Sequence, residues 1–162
     1  MPEPAHDHPK VIVFPPVILV ATVVLGCILQ WALPTGVLAG INQAWRISLG
    51  VAFIVAGVLL AATGRRVLMR LGTNVSPSHS TTALATDGVF GWTRNPLYNG
   101  GTLVMLGIAL VFAVDWLLLL ILPSLLILHF GVVRREEQYL EQKFGDRYRL
   151  YRQRVPRYGL GI

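Results

Sequence analysis

Cysteine is nearly absent from this chain: Cys27 is the only one among 162 residues. A single cysteine excludes an intrachain disulfide and any metal site built from paired cysteines, and we predict no metal site. Cys27 lies within a long apolar stretch, whereas a reactive thiolate needs a polar or cationic setting. We therefore predict a buried, inert thiol.

Charged residues are also scarce, at 14% of the chain against 54% hydrophobic residues. This composition excludes a soluble domain and indicates one compact membrane domain over residues 1–162. The formal net charge is +6, but the cations flank apolar stretches and mix with acidic residues in the tail. That pattern indicates attraction to membrane lipids and no nucleic-acid binding. A glycine-rich phosphate loop and a leucine heptad are lacking as well.

Four apolar stretches approach or exceed the roughly 18 to 20 residues that a membrane-crossing helix needs. They cover about residues 11–33, 45–64, 97–114 and 116–133. Each must be helical, because lipid cannot satisfy an open backbone. The last two are joined around Asp115, which leaves room only for a tight turn and predicts an antiparallel hairpin. The expected fold class is all-α integral membrane, with four transmembrane helices and a cytoplasmic C-terminal amphipathic helix.

Arginines indicate the orientation of these spans. Arg65, Arg66, Arg70 and Arg94 lie between the second and third spans, and eight of the fourteen Lys and Arg residues follow the fourth. The positive-inside rule then places that loop and both termini in the cytoplasm. The first span is longer than the apolar core of a secretion signal, so we interpret it as a retained anchor.

Small residues mark where helices pack closely. Gly50, Gly57 and Gly64 recur every seven residues in the second span, which is typical of a helix-packing face. We expect Gly107 in the third span to pack in the same way. For Gly100 two roles stay open, helix packing and close approach of a ligand to the backbone.

Two adjacent glutamates follow the fourth span. Projected on a helix, Glu137 shares a narrow arc with Val133, Leu140 and Phe144, and Glu136 lies on its border. A carboxylate on an apolar face is costly without a partner or ligand, so the pattern suggests a site at the membrane surface. The alternative is that the glutamates merely pair with neighbours along the helix, a weak surface interaction.

Three further segments are candidate parts of such a site. The polar loop around residues 72–90 is too long for a simple connection, which is typical of a lid or binding loop. Residues 94–100 open the third span, where Asn95 is a plausible helix cap. In the tail, Tyr148 and Tyr151 share a helical face with Phe144, and docking of the tail on the membrane is the competing explanation.

Together these segments resemble the isoprenylcysteine carboxyl methyltransferase family, within a larger group of small membrane methyltransferases that includes phospholipid N-methyltransferases. The family pattern is Arg-His-Pro-x-Tyr-x-Gly opening a hairpin, then Glu-Glu-x-x-Leu, then Phe-Gly-x-x-Tyr-x-x-Tyr-x-x-x-Val-Pro-Arg. The corresponding stretches here are residues 94–100, 136–140 and 144–157. The resemblance covers roughly the C-terminal 80 residues and leaves the first two spans uncovered.

The resemblance implies that S-adenosylmethionine binds between the mouth of the hairpin and the tail, within about residues 94–157. It implies that a glutamate binds the amino group or ribose, Tyr98 faces the sulfonium, and Tyr148 or Tyr151 covers the adenine. Glu137→Gln should then weaken cofactor binding about tenfold or more and leave folding intact. The implied cofactor-binding set is Asn95, Tyr98, Gly100, Glu136, Glu137, Leu140, Tyr148, Tyr151 and Arg157.

The family's histidine is replaced by Asn95, which cannot act as a base near neutral pH. An acceptor that needs no deprotonation, a carboxylate, is therefore expected. Arg94 is expected to hold that carboxylate or the cofactor's, and Arg94 and Asn95 form the implied catalytic pair. His129 is a possible substitute base and acceptor contact, with an interhelical hydrogen bond as the alternative.

The expected reaction is methyl transfer to a lipophilic acceptor that enters from the bilayer, most simply an isoprenylcysteine-like or lipid acid. Two alternatives stay open. A phospholipid N-methyltransferase would use the same cofactor but needs a base, and a non-enzymatic scaffold or lipid binder would leave the glutamates unexplained. The sequence does not indicate an oligomeric state.

Overall fold

The computed structural model describes residue 9, residues 11–76 and residues 79–159, and in these ranges every regular element is helical. The main helices are α1 (Pro15–Ala32), α2 (Gln43–Arg70), α3 (Pro96–Phe112), α4 (Asp115–Leu128), α5 (Arg134–Phe144) and α6 (Asp146–Arg154). A π-helical segment, His129–Val133, joins α4 to α5 without interruption. Short 3-10 turns occur at Leu38–Gly40 and Gly88–Gly91. The all-helical prediction is confirmed for this part of the chain.

Three continuous helical stretches are long and apolar enough to cross a membrane, namely Pro15–Ala32, Gln43–Arg70 and Asp115–Phe144. The remaining apolar helix, α3, is shorter at 17 residues, so a count of four spans stays a prediction. The second span extends past its predicted end at residue 64 to Arg70. The tail forms two helices instead of one, because Gly145 adopts a positive φ of 54° between α5 and α6.

Helices α2 and α3 pack at backbone contact along their length. A Cβ atom added to Gly57 would lie 2.5 Å from the carbonyl oxygen of Gly100, and one added to Gly107 would lie 2.6 Å from that of Gly50. Such separations admit no side chain, so these glycines let the two backbones touch. The predicted packing role of the α2 glycines and of Gly107 is confirmed. Gly100 contacts the α2 backbone in the same way, since a Cβ atom there would lie 2.6 Å from Gly57 O. For Gly100 the structure therefore supports helix packing over close approach of a ligand.

The α3–α4 hairpin turns at Ala113 and Val114, as its length predicts. Ala113 adopts the left-handed conformation (φ 53°). Asp115 is buried, and its carboxylate accepts hydrogen bonds from Thr35 Oγ1 at 2.6 Å and from the backbone nitrogens of Val37 and Leu38 at 3.1 and 2.8 Å. These bonds fasten the α1–α2 connection to the start of α4 and fix this end of the bundle.

The opposite end gathers the α2–α3 loop, the tail and the segment before α1. Thr81 N donates to Tyr139 Oη of α5 at 3.1 Å, and Ile12 N donates to Gly131 O of the π-helical segment at 3.1 Å. The predicted candidate segments therefore share one end of the molecule. On α1, Cys27 is exposed on the outer surface of the bundle. The prediction of a thiol buried inside the protein is wrong, because no helix in the described part of the chain covers this side chain.

Candidate active site

A cluster of three charged side chains lies where the loop, α5 and the tail meet. Arg94 Nη1 lies 3.0 Å from Glu137 Oε1. Arg157 donates to the same carboxylate through Nε at 2.8 Å and Nη2 at 2.7 Å, a bidentate pair. Only 7% of Glu137 is exposed. One buried carboxylate thus pairs with two arginines that are far apart in sequence, so the three side chains together carry one positive charge in excess. Each arginine depends on Glu137 as its counter-charge.

The π-helical segment orients the glutamates toward this cluster. Arg134 N bonds to His129 O, five residues back, where an α-helix would bond four back. The wider turn rotates α5 relative to α4 and frees a carbonyl, and Gly131 O accepts its bond from Ile12 N. The segment thereby allows α4 to pack along its apolar face while α5 turns Glu137 toward Arg94.

The end of the tail, residues 155–159, folds back across the start of α3, and we refer to it as the C-terminal strap. Arg94 N donates to Pro156 O at 3.0 Å, and the Arg157 carbonyl accepts from Thr93 Oγ1 at 2.8 Å and Asn95 Nδ2 at 3.2 Å. Asn95 occupies the predicted cap position, but its side chain makes no capping hydrogen bond. Its amide fastens the strap instead.

His129 lies at the edge of this arrangement. Its Nδ1 is 2.7 Å from Tyr158 Oη of the C-terminal strap. Two roles were open for His129, a base and an interhelical hydrogen bond. The observed contact is a hydrogen bond, but its partner belongs to the C-terminal strap and not to another membrane helix. His129 does not border the cavity described next, so the predicted acceptor contact has no geometric support.

A cavity opens beside the charged cluster, with about 830 Å³ of empty space including its mouth. Most of the predicted site residues line it: Arg94, Asn95, Tyr98, Glu136, Glu137, Leu140, Tyr148 and Tyr151. Gly100 and Arg157 do not. Gly100 faces α2, and Arg157 supports the wall through Glu137 without forming it.

Glu136 differs sharply from its neighbour Glu137. Its Oε1 accepts a hydrogen bond from Tyr98 Oη at 2.7 Å. Among the residues that the structure describes, no lysine, arginine or histidine nitrogen lies within ion-pair distance of Glu136. The side chain is partly exposed and borders the cavity. The cavity therefore contains one carboxylate, Glu136, that has no ion-pair partner among the described residues.

The two tail tyrosines form the wall opposite α5. Burial raises the pKa of Tyr148 to about 12, and the Glu137 carboxylate adds to that rise, so the phenol is neutral at physiological pH. Tyr151 Oη donates to Phe90 O at 2.7 Å. Tyr148 and Tyr151 lie with Val155 in one buried cluster. These contacts bind the tail to the protein, so docking of the tail on a membrane is not needed to explain the two side chains.

Sequence reasoning missed a second wall of the cavity. The α2–α3 loop supplies it with residues 74–76, 81 and 83–85 and with Phe90. Leu68 of α2 and Tyr139 of α5 complete this wall. Thr73 Oγ1, which is buried, accepts from Thr82 N at 2.9 Å and fixes the loop's fold. The unusual length of the loop indicated a function, but no motif indicated which residues would face a ligand.

Comparison with known proteins places the chain in a family. The family model described as phospholipid methyltransferase matches residues 45–147, a stretch that covers nearly all of α2, the whole of α3, α4 and α5, and most of the residues that line the cavity. The chain belongs to the phospholipid methyltransferase family, and it is accordingly a membrane methyltransferase. Methyltransferases of this family generally use S-adenosylmethionine. No curated protein and no solved structure matches the chain. The finer resemblance to isoprenylcysteine carboxyl methyltransferases is not confirmed.

Proposed function

We propose that the chain transfers a methyl group from S-adenosylmethionine to a lipophilic acceptor whose reactive group enters the cavity between α3, α5 and the tail. The observation that supports this most directly is the cavity itself. Most of its lining residues belong to the family-matched segment, and among them Glu136 has no ion-pair partner in the described part of the chain. A cationic ligand is the natural complement of that charge, and both the cofactor's sulfonium and an ammonium headgroup are cations.

The residues present fit the cofactor. Arg94 Nε is buried and has no hydrogen-bond partner in the described structure, so it can donate to the carboxylate of the cofactor's amino-acid part. Tyr98 offers a ring that favours a cation, and Tyr151 offers a flat surface for the adenine. When bound, the cofactor supplies a methyl group on a positively charged sulfur. The chain supplies alignment and exclusion of water.

For the acceptor we favour the amine headgroup of a phospholipid. The argument for a carboxylate acceptor was that Asn95 leaves no base, but Glu136 provides one in the same cavity. The proposed acid clamp, Arg94, is already paired with Glu137. Methylation of a lipid acid stays the second candidate, in which the Nε donor of Arg94 binds the acceptor's carboxylate and not the cofactor's. In either case the acceptor's tail would lie against apolar lining residues such as Leu68 and Leu97.

Cofactor binding is testable by calorimetric titration of the purified protein with S-adenosylmethionine and S-adenosylhomocysteine. Arg94→Lys keeps a positive charge beside Glu137 but removes the Nε donor, so we expect about tenfold weaker binding. Arg147→Lys, on the exposed face of α6, is the matched control and should bind normally. Absence of heat for both ligands in the wild-type protein would contradict the proposal.

We also propose that the cavity end of the bundle faces the cytoplasm, as the arginine distribution predicts. The check is cysteine labelling in intact cells after Cys27→Ala, with single cysteines placed at His79, Gln153 or Gly36. Gly36 lies in the connection at the opposite end and has open space around it. An impermeant reagent added outside should label only the Gly36 position. Labelling at His79 or Gln153 would reverse the orientation.

A further inference from the structure

Two carboxylates line the cavity in the described part of the chain, and Glu136 is the one that forms no ion pair there. Glu137 takes Arg94 and Arg157, whereas Glu136 receives only the hydroxyl of Tyr98, at 2.7 Å. A hydrogen bond from a neutral phenol positions a carboxylate without neutralising it. Glu136 therefore keeps further acceptor capacity on a partly exposed side chain that lines the cavity.

We propose that Glu136 accepts the proton of the acceptor ammonium group and that Tyr98 positions it for that task. This inference rests on the proposed methyl transfer to an amine lipid and adds a catalytic residue to it. An ammonium nitrogen has no electron pair to attack with, so methylation of an amine requires a base. Asn95 cannot serve, and His129 points to the C-terminal strap. Glu136 is the group whose position fits the need.

The ammonium nitrogen loses one proton to a Glu136 oxygen, and its freed electron pair forms the new N–C bond. The C–S bond of the methyl donor breaks, and its electron pair stays on sulfur. The product is a methylated ammonium and a neutral thioether, and Glu136 returns its proton to water as the product leaves. The ammonium also forms an ion pair with Glu136 before the reaction, which orients the headgroup.

Other titratable groups of the cavity constrain this assignment. Glu137 already holds Arg94 and Arg157, whereas Glu136 has no cation within ion-pair distance among the described residues, so Glu136 is the carboxylate that can pair with an incoming cation. The charged or titratable residues that line the cavity with Glu136 are Arg94, Tyr98, Glu137, Tyr139, Tyr148 and Tyr151.

The test compares the wild-type protein with Glu136→Gln, Glu136→Asp and the matched control Glu141→Gln, all reconstituted in lipid. At pH 7 we expect Glu136→Gln to methylate a short-chain phosphatidylethanolamine at least about 100-fold more slowly, and Glu136→Asp to recover part of the rate. At pH 9.5 the deficit of Glu136→Gln should narrow to less than about tenfold, because more of the amine is unprotonated without help. Glu141→Gln should match the wild type.

A binding measurement without cofactor provides a second readout. Wild-type protein should bind the amine lipid about tenfold more tightly than its N-acetylated counterpart, in which the nitrogen is neutral and the phosphate is unchanged, and Glu136→Gln should abolish that preference. Unchanged turnover in Glu136→Gln, or an equal deficit at both pH values with loss of S-adenosylmethionine binding, would overturn the inference. Wild-type protein that methylates only lipid acids would overturn it while leaving methyl transfer intact. Failure of the wild type to transfer methyl to any acceptor would instead refute the proposed function.

Discussion

Replacing Glu137 by glutamine is expected to destabilise the folded protein by roughly 3 to 5 kcal/mol. The carboxylate is 7% exposed and is the shared partner of Arg94 and Arg157. Glutamine is nearly the same size but neutral, so it would leave two cations without a counter-charge, one of them deeply buried. The sequence alone predicts that this variant folds normally, and the structure corrects that expectation because Glu137 is a structural centre of the site.

The measurement is thermal unfolding in detergent, with Glu141→Gln as the matched control. Glu141 lies on the same helix and pairs with Arg152 on an open surface, so losing it should cost less than about 1 kcal/mol. In Glu137→Gln the ion pair between Arg157 and residue 137 is lost, so the C-terminal strap should also detach. Limited proteolysis would detect that detachment. If the unfolding temperature of Glu137→Gln equals that of the control variant, the three-residue ion cluster does not stabilise the site.

Gly57→Val is expected to lower the stability by about 3 kcal/mol, the upper end for overpacking in a close-packed core. The first added carbon would lie 2.5 Å from Gly100 O and 2.9 Å from Val104 Cγ2. The near neighbour is backbone, which cannot swing aside as a flexible side chain can. Because α3 begins at the cavity, displacement of α3 from α2 should also move Tyr98 away from Glu136.

Gly36→Val is the control, since nothing lies within 4 Å of a Cβ at Gly36. Unfolding in detergent and yield of monodisperse protein are the readouts for both variants. Normal stability of Gly57→Val would mean that the two helices pack less closely than the structure describes.

Composition and periodicity were enough to predict the helices, because membrane helices depend on local apolar length. The glycines at seven-residue spacing in α2 likewise indicated a packing face, although their partners Gly100 and Gly107 are separated from them in sequence by many residues. Gly100 shows the limit: the family motif places it beside a ligand site, whereas its position on α3 turns it to α2.

The site was harder to predict because its partners are distant in sequence. Helical projection found Glu137 on an inner face, but only the fold brings Arg94 and Arg157 to it. The π-helical segment has no clear sequence signal, and it changes the rotation between α4 and α5 that a simple projection assumes. The projection separates Glu137, inside the apolar arc, from Glu136 on its border, but it does not show that Glu137 pairs with two arginines and Glu136 with Tyr98.

The most direct test of the central claim is methyl transfer by the purified protein in lipid nanodiscs, with S-adenosylmethionine carrying a labelled methyl group. Phosphatidylethanolamine and a lipophilic acid such as a prenylcysteine analogue are offered side by side. We predict that the labelled methyl group appears on the nitrogen of the amine lipid only when both protein and cofactor are present. Neither acid nor base should release it, because an N–CH3 bond is not hydrolysed. Base-labile label confined to the acid would contradict the amine assignment, and no protein-dependent label in either lipid would contradict the function as a whole.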